Sequence, residues 1–446
     1  MTDTETLLAQ TLDAARHAGA DAADVLFERG VSLTVGVADR QLEEAERAEA
    51  ADLGLRVLVG QRQACVASSD LRPETLREIA ERAVAMARAA PEDPYCGLAM
   101  PEQLSTPSET ADLELADPTD PPDPASLEET ALRMEAAALA VPGVTMTEQA
   151  SAAWGQSEIA IAQSNGFSGG YSRTSHSVGV SAIAGSGLAR ERDYSYRSRH
   201  WAADLPIPED IGREAGERAV ARLEPKKPAS GAYPVLYHER VAGSLIGHLL
   251  GVINGRAIAR GASWVRDAMG TAVLPKGIDL MDEPLLRRGM ASRPFDAEGL
   301  AARPCRLVDD GILQSWLLDL ATARQLELTS TGHARRGVAA PPAPGVSNIR
   351  MTQGNRTRDE LIRDLGTGLL VTGLIGASVN ANTGAYSRGA NGFWIERGEI
   401  AHPVNEITVA GSLPEMMKSL IPADDGDPMK ALSIPSLLVE GITIGA

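Results

Sequence analysis

Two runs of strict alternation near the start of the chain restrict the possible folds most. Val31, Leu33, Val35 and Val37 alternate with small or polar residues, and Leu53, Leu55, Val57 and Val59 repeat the pattern. Side chains along an extended strand point to opposite faces, so a period of two predicts half-buried strands. Helical periodicity flanks both runs. Residues 5 to 18 place Leu7, Leu8, Thr11, Leu12 and Ala15 on one face, with Gly19 as the stop. A second helix follows Pro73, with Leu76, Ile79, Ala80, Ala83 and Ala87 facing inward. Helices that each bury one stripe on a sheet predict helices packed on one antiparallel sheet.

Residues 91 to 125 are rich in Pro and acid ("ADPTDPPDP") without sustained periodicity, which predicts a surface connection. Ser126 and Glu129 have the spacing of a capping box for a helix running to about Ala140. Several strands follow, one pair turning at Asn165-Gly166, a dipeptide suited to a tight hairpin. Residues 206 to 221 read as helix. The stretch "EPKKPASGAYP", 224 to 234, marks a second break. Beyond it come short strands, Gly turns and a prominent helix near 240 to 254. A hairpin is expected at Arg397-Gly398, a short helix capped by Ser412 and Glu415, and a terminal strand in "SLLVEGITIG". The expected fold class is therefore α+β. An N-terminal α/β sandwich-like part with an antiparallel sheet spans 1–225, and a C-terminal β-rich domain with one Gly-striped helix spans 226–446.

The net charge of -18 argues against a nucleic-acid groove, which needs clustered positive charge to displace counterions. It also disfavours anionic lipid surfaces. Cys65, Cys96 and Cys305 lie far apart with no CxxC, a pattern fitting a reducing compartment and no cysteine zinc site. The opening "MTDTETLLAQ" lacks a basic segment followed by an apolar run. The apolar run 241–253 is cut by Ser244 and His248. A cytoplasmic location, with no membrane and no nucleic-acid partner, is expected.

The stretch "YPVLYHERVAGSLIGHLLGVINGRAIARG" resembles the helix of a zinc peptidase, where two His and a Glu share one face. Glu239 follows His238, but i+4 is Ala242 and i+5 is Gly243. His248 is ten positions on, roughly 12 Å along the helix axis at about 1.5 Å per residue. Zinc–nitrogen bonds of about 2 Å cannot join the two. His238 is therefore expected to end a strand, and Glu239 to favour the positive start of the helix. No metal site is expected in this chain. His238 and Glu239 remain the only catalytic candidates; His333 and His402 are expected to be solvated.

Gly243, Gly247 and Gly251 form a stripe without side chains. Glycine costs roughly 1 kcal/mol in a helix interior relative to Ala, so three in register need a reason. Tight packing inside the chain and a face turned to a ligand or subunit are both open.

"RVAGSLIGHLLGVINGRAIARGASW" and "TGAYSRGANGFWIERGEIAHPVNEITVAGSLPEMM" resemble the two signature regions of the TldD/PmbA family, in its PmbA (TldE) branch. The resemblance implies a cytosolic zinc metallopeptidase of two homologous subunits that trims small or unfolded peptides. It implies that the TldD-type partner carries HExxxH and the zinc, and that a PmbA-type chain completes the assembly. Carried over residue by residue, His238 and Glu239 match the first two motif positions, and Gly243 stands where the second His is required. The signature regions make Gly243, Gly247, His248, Gly251, Arg388 and Trp394 the candidate partner- or peptide-facing residues. The implied function is a non-catalytic subunit of a heteromeric peptidase. A peptidase acting alone or as a homodimer, and a non-proteolytic modulator of DNA gyrase or an antitoxin, are the alternatives.

Overall fold

The computed structural model describes residues 3–106 and 112–446. Helix α1 (Asp3–Ala18) leads into strands β1 (Ala22–Ala38), β2 (Gln41–Val59) and β3 (Arg62–Ser68), then helix α2 (Pro73–Ala89). Helix α3 (Pro124–Leu139) precedes β4 (Val144–Gln163), β5 (Ser168–Ala184) and β6 (Glu191–Arg199), and α4 (Pro208–Ala221) follows. The six strands form one antiparallel sheet in the order β3-β2-β1-β4-β5-β6.

The alternation in β1 explains how helices cover this sheet. Val25 and Phe27 pack beneath α1 and α2, while Leu33, Val35 and Val37 pack beneath α3 and α4. All five are odd-numbered, and the register against β4 runs unbroken from Asp24 to Val37, so both helix pairs share one face. On the other face Leu26, Ile159 and Ile161 meet Phe167 and, from the C-terminal half, Phe295.

The C-terminal half is built on a second sheet around β7 (Gly231–Tyr237). β7 pairs in parallel with strand Gly368–Val379 and antiparallel with strand Leu437–Gly445. Strands Ala385–Glu396 and Glu399–Ser412 extend the sheet, and Thr408 pairs back to Gly445, so the sheet curls onto itself. Helix α5 (Glu239–Val252) lays Ala242, Leu245, Ile246 and Leu249 into the large core on this sheet. The molecule is thus α+β with a β-rich C-terminal half.

Among the contacts that join the halves, two lie on β1 and β2. The cross-strand pair Asp24–Arg56 is buried, with Arg56 Nε donating to Asp24 at 2.6 Å, and Arg336 from the C-terminal half donates to the other carboxylate oxygen. These side chains are 4% exposed or less. Burial alone would raise the Asp24 pKa, but the two guanidinium groups outweigh it and the pKa is lowered. Close by, Gly54 of β2 lies so near Val338 that a Cβ would run into the Val338 carbonyl.

The structure corrects two local expectations, both of them helix caps. The α3 cap is Asp123, whose carboxylate accepts from Ser126 N–H at 2.7 Å; Pro124 at the first helical position moves the start three residues earlier. Ser412 makes no side-chain cap, because strand Glu399–Ser412 runs directly into helix Leu413–Ser419. The hairpin at Asn165-Gly166 forms as expected, with Gly166 N–H donating to Gln163 O and Gly166 at positive φ, +101°. The connection 91–125 runs largely over the surface, as expected, and is tied down there. Leu113 and Leu115 are buried, Thr174 N–H donates to Leu115 O, and Arg324 donates to the carbonyls of Tyr95 and Leu98. Residues 107–111 of that connection lie outside the described residues. At Arg397-Gly398 the expectation holds, with φ of +54° and +78° in a two-residue loop.

Candidate functional site

Strand β7 passes into α5 at His238, and the chain geometry there is that of a helix cap. The His238 N–H still belongs to the sheet, donating to Val371 O at 3.0 Å, while its carbonyl accepts from the N–H groups of Val241 and Ala242. Its Nδ1 faces the Arg240 N–H at 3.2 Å, where a cap acceptor sits. Its Nε2 lies 2.7 Å from Arg358 Nη1, a residue 120 positions away.

Both ring nitrogens therefore face donors. A neutral imidazole has one lone pair to offer, and a doubly protonated ring would meet donors on both sides. Burial, reinforced by the charges of Arg358, Arg218, Arg240 and Lys430, accordingly lowers the His238 pKa to about 3. His238 lines a cleft of about 280 Å³ together with Arg218, Arg240, Arg358, Leu370 and Phe393. The Glu239 carboxylate is held by Lys430 Nζ, and its N–H donates to Ser436 Oγ at 3.0 Å.

These residues do not fit a zinc ion. A ligating imidazole must point a free lone pair at the metal, and here the shortest contact on His238 is a permanently charged guanidinium. Gly243 contributes no donor atom, and among the described residues no three His, Cys, Asp or Glu side chains converge on a common point.

The other face of α5 is different. A Cβ added at Gly247 or Gly251 would meet no atom within 4 Å, and one at Gly243 would meet only Leu432, at 3.7 Å. Close backbone packing inside the chain is therefore not the reason for the stripe. Ser244 and His248 share this open side. Arg388 reaches over to it, donating from Nη1 to Ser244 Oγ and from Nε to Gly376 O, both at 2.6 Å. The His248 ring stands edge-on to Tyr386 with centroids 5.7 Å apart, and burial followed by the Arg388 charge lowers its pKa.

The remaining candidates lie elsewhere. Trp394 is buried, 4.9 Å from the Tyr233 ring, so it belongs to the core and not to the open face of α5. His333 is buried, with Nδ1 2.8 Å from Thr331 Oγ1 and Nε2 3.4 Å from Asp282, contrary to the expected solvated ring. His402 is half-buried, with Nδ1 beside Pro403 O at 3.1 Å. Arg358 and Lys430 are the decisive residues that sequence reasoning missed. Neither stands in a motif, and only the tertiary fold carries them to the His-Glu pair.

Fold and site together define an α+β chain with a peptidase-like helix entry whose His238 and Glu239 side chains are each engaged by a cationic side chain. Three family models cover most of the sequence: PmbA/TldA metallopeptidase domain 1 over residues 23–87, the central domain over 117–223 and the C-terminal domain over 230–446. The chain is 34% identical to Metalloprotease PmbA of Escherichia coli, covering 90% of this chain and 87% of the relative. It is 32% identical to the PmbA homolog of Haemophilus influenzae, covering 97% and 94%. Among solved structures it resembles a candidate modulator of DNA gyrase from Bacteroides thetaiotaomicron, with TM-score 0.92, 27% identity and coverage of 100% and 99%. The fold also matches TldE from Thermococcus kodakarensis, with TM-score 0.85, 19% identity and coverage of 99% and 100%. The chain belongs to the PmbA/TldD metallopeptidase family.

Proposed function

We propose that this chain is the metal-ligand-deficient subunit of a heteromeric zinc metallopeptidase that trims small or unfolded peptides. Its partner is a homologous TldD-type chain with an intact HExxxH, and the zinc belongs to that partner. The single observation that carries the reading is Arg358 Nη1 seated 2.7 Å from His238 Nε2, in the place a metal bound to that nitrogen would have to take. The open face of α5, with Gly247, Gly251, His248 and Arg388, faces the partner or the peptide. Gly251 is exposed and Gly247 half-buried, and a Cβ at either would meet no atom of the described residues within 4 Å, which supports that role.

The test is reconstitution. Alone, the chain should not cleave an unfolded peptide; mixed with its HExxxH paralogue, it should support cleavage. In that mixture His238→Ala and Glu239→Gln should keep most of the activity. Removing a general base costs about 10²-fold or more. A loss of that size in Glu239→Gln would place the chemistry in this chain and refute the proposal.

A further inference from the structure

Between the N-terminal sheet and the C-terminal half lies a cavity of about 100 Å³ that has no part in the His-Glu cleft. Its floor is Leu26, Ile159, Ile161 and Phe295, and its walls come from the segments 291–297 and 334–336 together with Arg173 of β5. Four arginines line it: Arg173, Arg293, Arg335 and Arg336.

Two of them are buried and incompletely satisfied. Arg293 is 7% exposed, and its one hydrogen bond runs from Nη1 to Ala334 O at 3.2 Å, leaving Nε without a partner. The Arg336 side chain is 1% exposed; it serves Asp24 and Gly54 O through its terminal nitrogens, and its Nε is also unpartnered. Asp24 balances the Arg336 charge, but a buried guanidinium with an open donor is costly, and an anion in the cavity takes up the two Nε donors and balances Arg293.

The acids on hand do not supply that anion. Asp296 is buried, but its oxygens already accept from the N–H groups of Glu298, Leu300 and Ala334. Burial also pushes its carboxyl upward, toward the neutral form. Glu28, the other acid on the lining, is exposed. The space is small beside other clefts of the molecule, which run from about 280 to 460 Å³, and this favours a small occupant.

We propose that this interdomain cavity binds a small oxyanion, a phosphate or a carboxylate, through Arg293 and Arg336. Both side chains line the cavity and each keeps an unpartnered Nε donor, and charge-assisted N–H bonds to an oxyanion are among the strong ones. Both arginines belong to the C-terminal half, and Arg173 with the floor of Leu26, Ile159 and Ile161 brings the N-terminal sheet to the same cavity, so a bound anion stabilises the folded chain.

The experiment is thermal and chemical unfolding of the full chain in inorganic phosphate or acetate, against chloride at equal ionic strength and pH. A ligand that binds only the folded state lowers the unfolding constant about 11-fold at ten times its dissociation constant. A saturable response to either oxyanion is expected, and which one acts tells a tetrahedral from a planar ligand. Arg293→Met should abolish the response and Arg293→Lys should keep part of it. No saturable effect, or one unchanged in Arg293→Met, overturns the proposal. Should Arg293→Met fail to fold, selenate soaked into wild-type crystals decides: anomalous density between Arg293 and Arg336 supports the site, and density only elsewhere overturns it.

Discussion

Lowering the pH should destabilise this protein through His238, by an amount that follows from the ring's surroundings. Burial and then the neighbouring cations take its pKa to about 3, while an unfolded chain keeps the ordinary value of about 6.5. Between these values the unfolded state binds a proton that the folded state refuses. The stabilisation is therefore complete above pH 6.5 and is lost as the pH falls toward 3. From pH 7 to pH 5 this group alone removes about 2 kcal/mol. Other groups titrate in the same range, so the informative quantity is a difference. Urea unfolding of wild type and His238→Gln at both pH values should show the variant losing about 2 kcal/mol less. In proton NMR the wild-type His238 ring should stay at its neutral shift from about pH 8 to about pH 5. Arg358→Met should move its midpoint upward but short of the ordinary value, because burial is the largest cause and remains. A wild-type ring that titrates near 6.5, or equal pH sensitivity in the two proteins, would refute the seating of Arg358 on His238.

Three further outcomes follow from the same contacts. Asp24→Asn should destabilise the fold by about 3 to 5 kcal/mol, the usual cost of unpairing a buried charge, because Arg56 and Arg336 would both lose their counter-ion; denaturant titration measures it. Gly247→Leu should leave the isolated chain as stable or more so, by somewhat under about 1 kcal/mol of helix propensity. If the face is an interface, the same variant should fail to support cleavage with the partner; normal assembly and full cleavage would exclude that role. Gly243→His restores the missing motif position, yet elemental analysis should still find well under one zinc per chain, because Arg358 and Lys430 continue to occupy His238 and Glu239. Stoichiometric zinc in Gly243→His would show that these contacts give way.

Much of the local structure could be read directly. The odd-numbered apolar residues of β1 identified the covered face of the sheet because strand side chains alternate by geometry, whatever surrounds them. Arg397-Gly398 announced its two-residue turn because the left-handed conformation there leaves few choices. The Gly at 243 already denied the second metal ligand, since a residue without a side chain cannot coordinate. The α3 cap was also within reach, at Asp123 before Pro124, but the Ser126–Glu129 pattern competed for it.

What filled the ligand positions was decided only by the fold. His238 and Arg358 are 120 positions apart, and Glu239 and Lys430 are 191 apart. No periodicity couples residues at such separations; they meet because separate segments pack on one curled sheet. The same holds for the glycine stripe, whose sequence suited either a packed face or an open one. Its openness depends on which neighbours the sheet leaves uncovered. Chain-local geometry determines which way a side chain points, whereas burial, charge pairing and proton affinity depend on what the rest of the molecule brings to it.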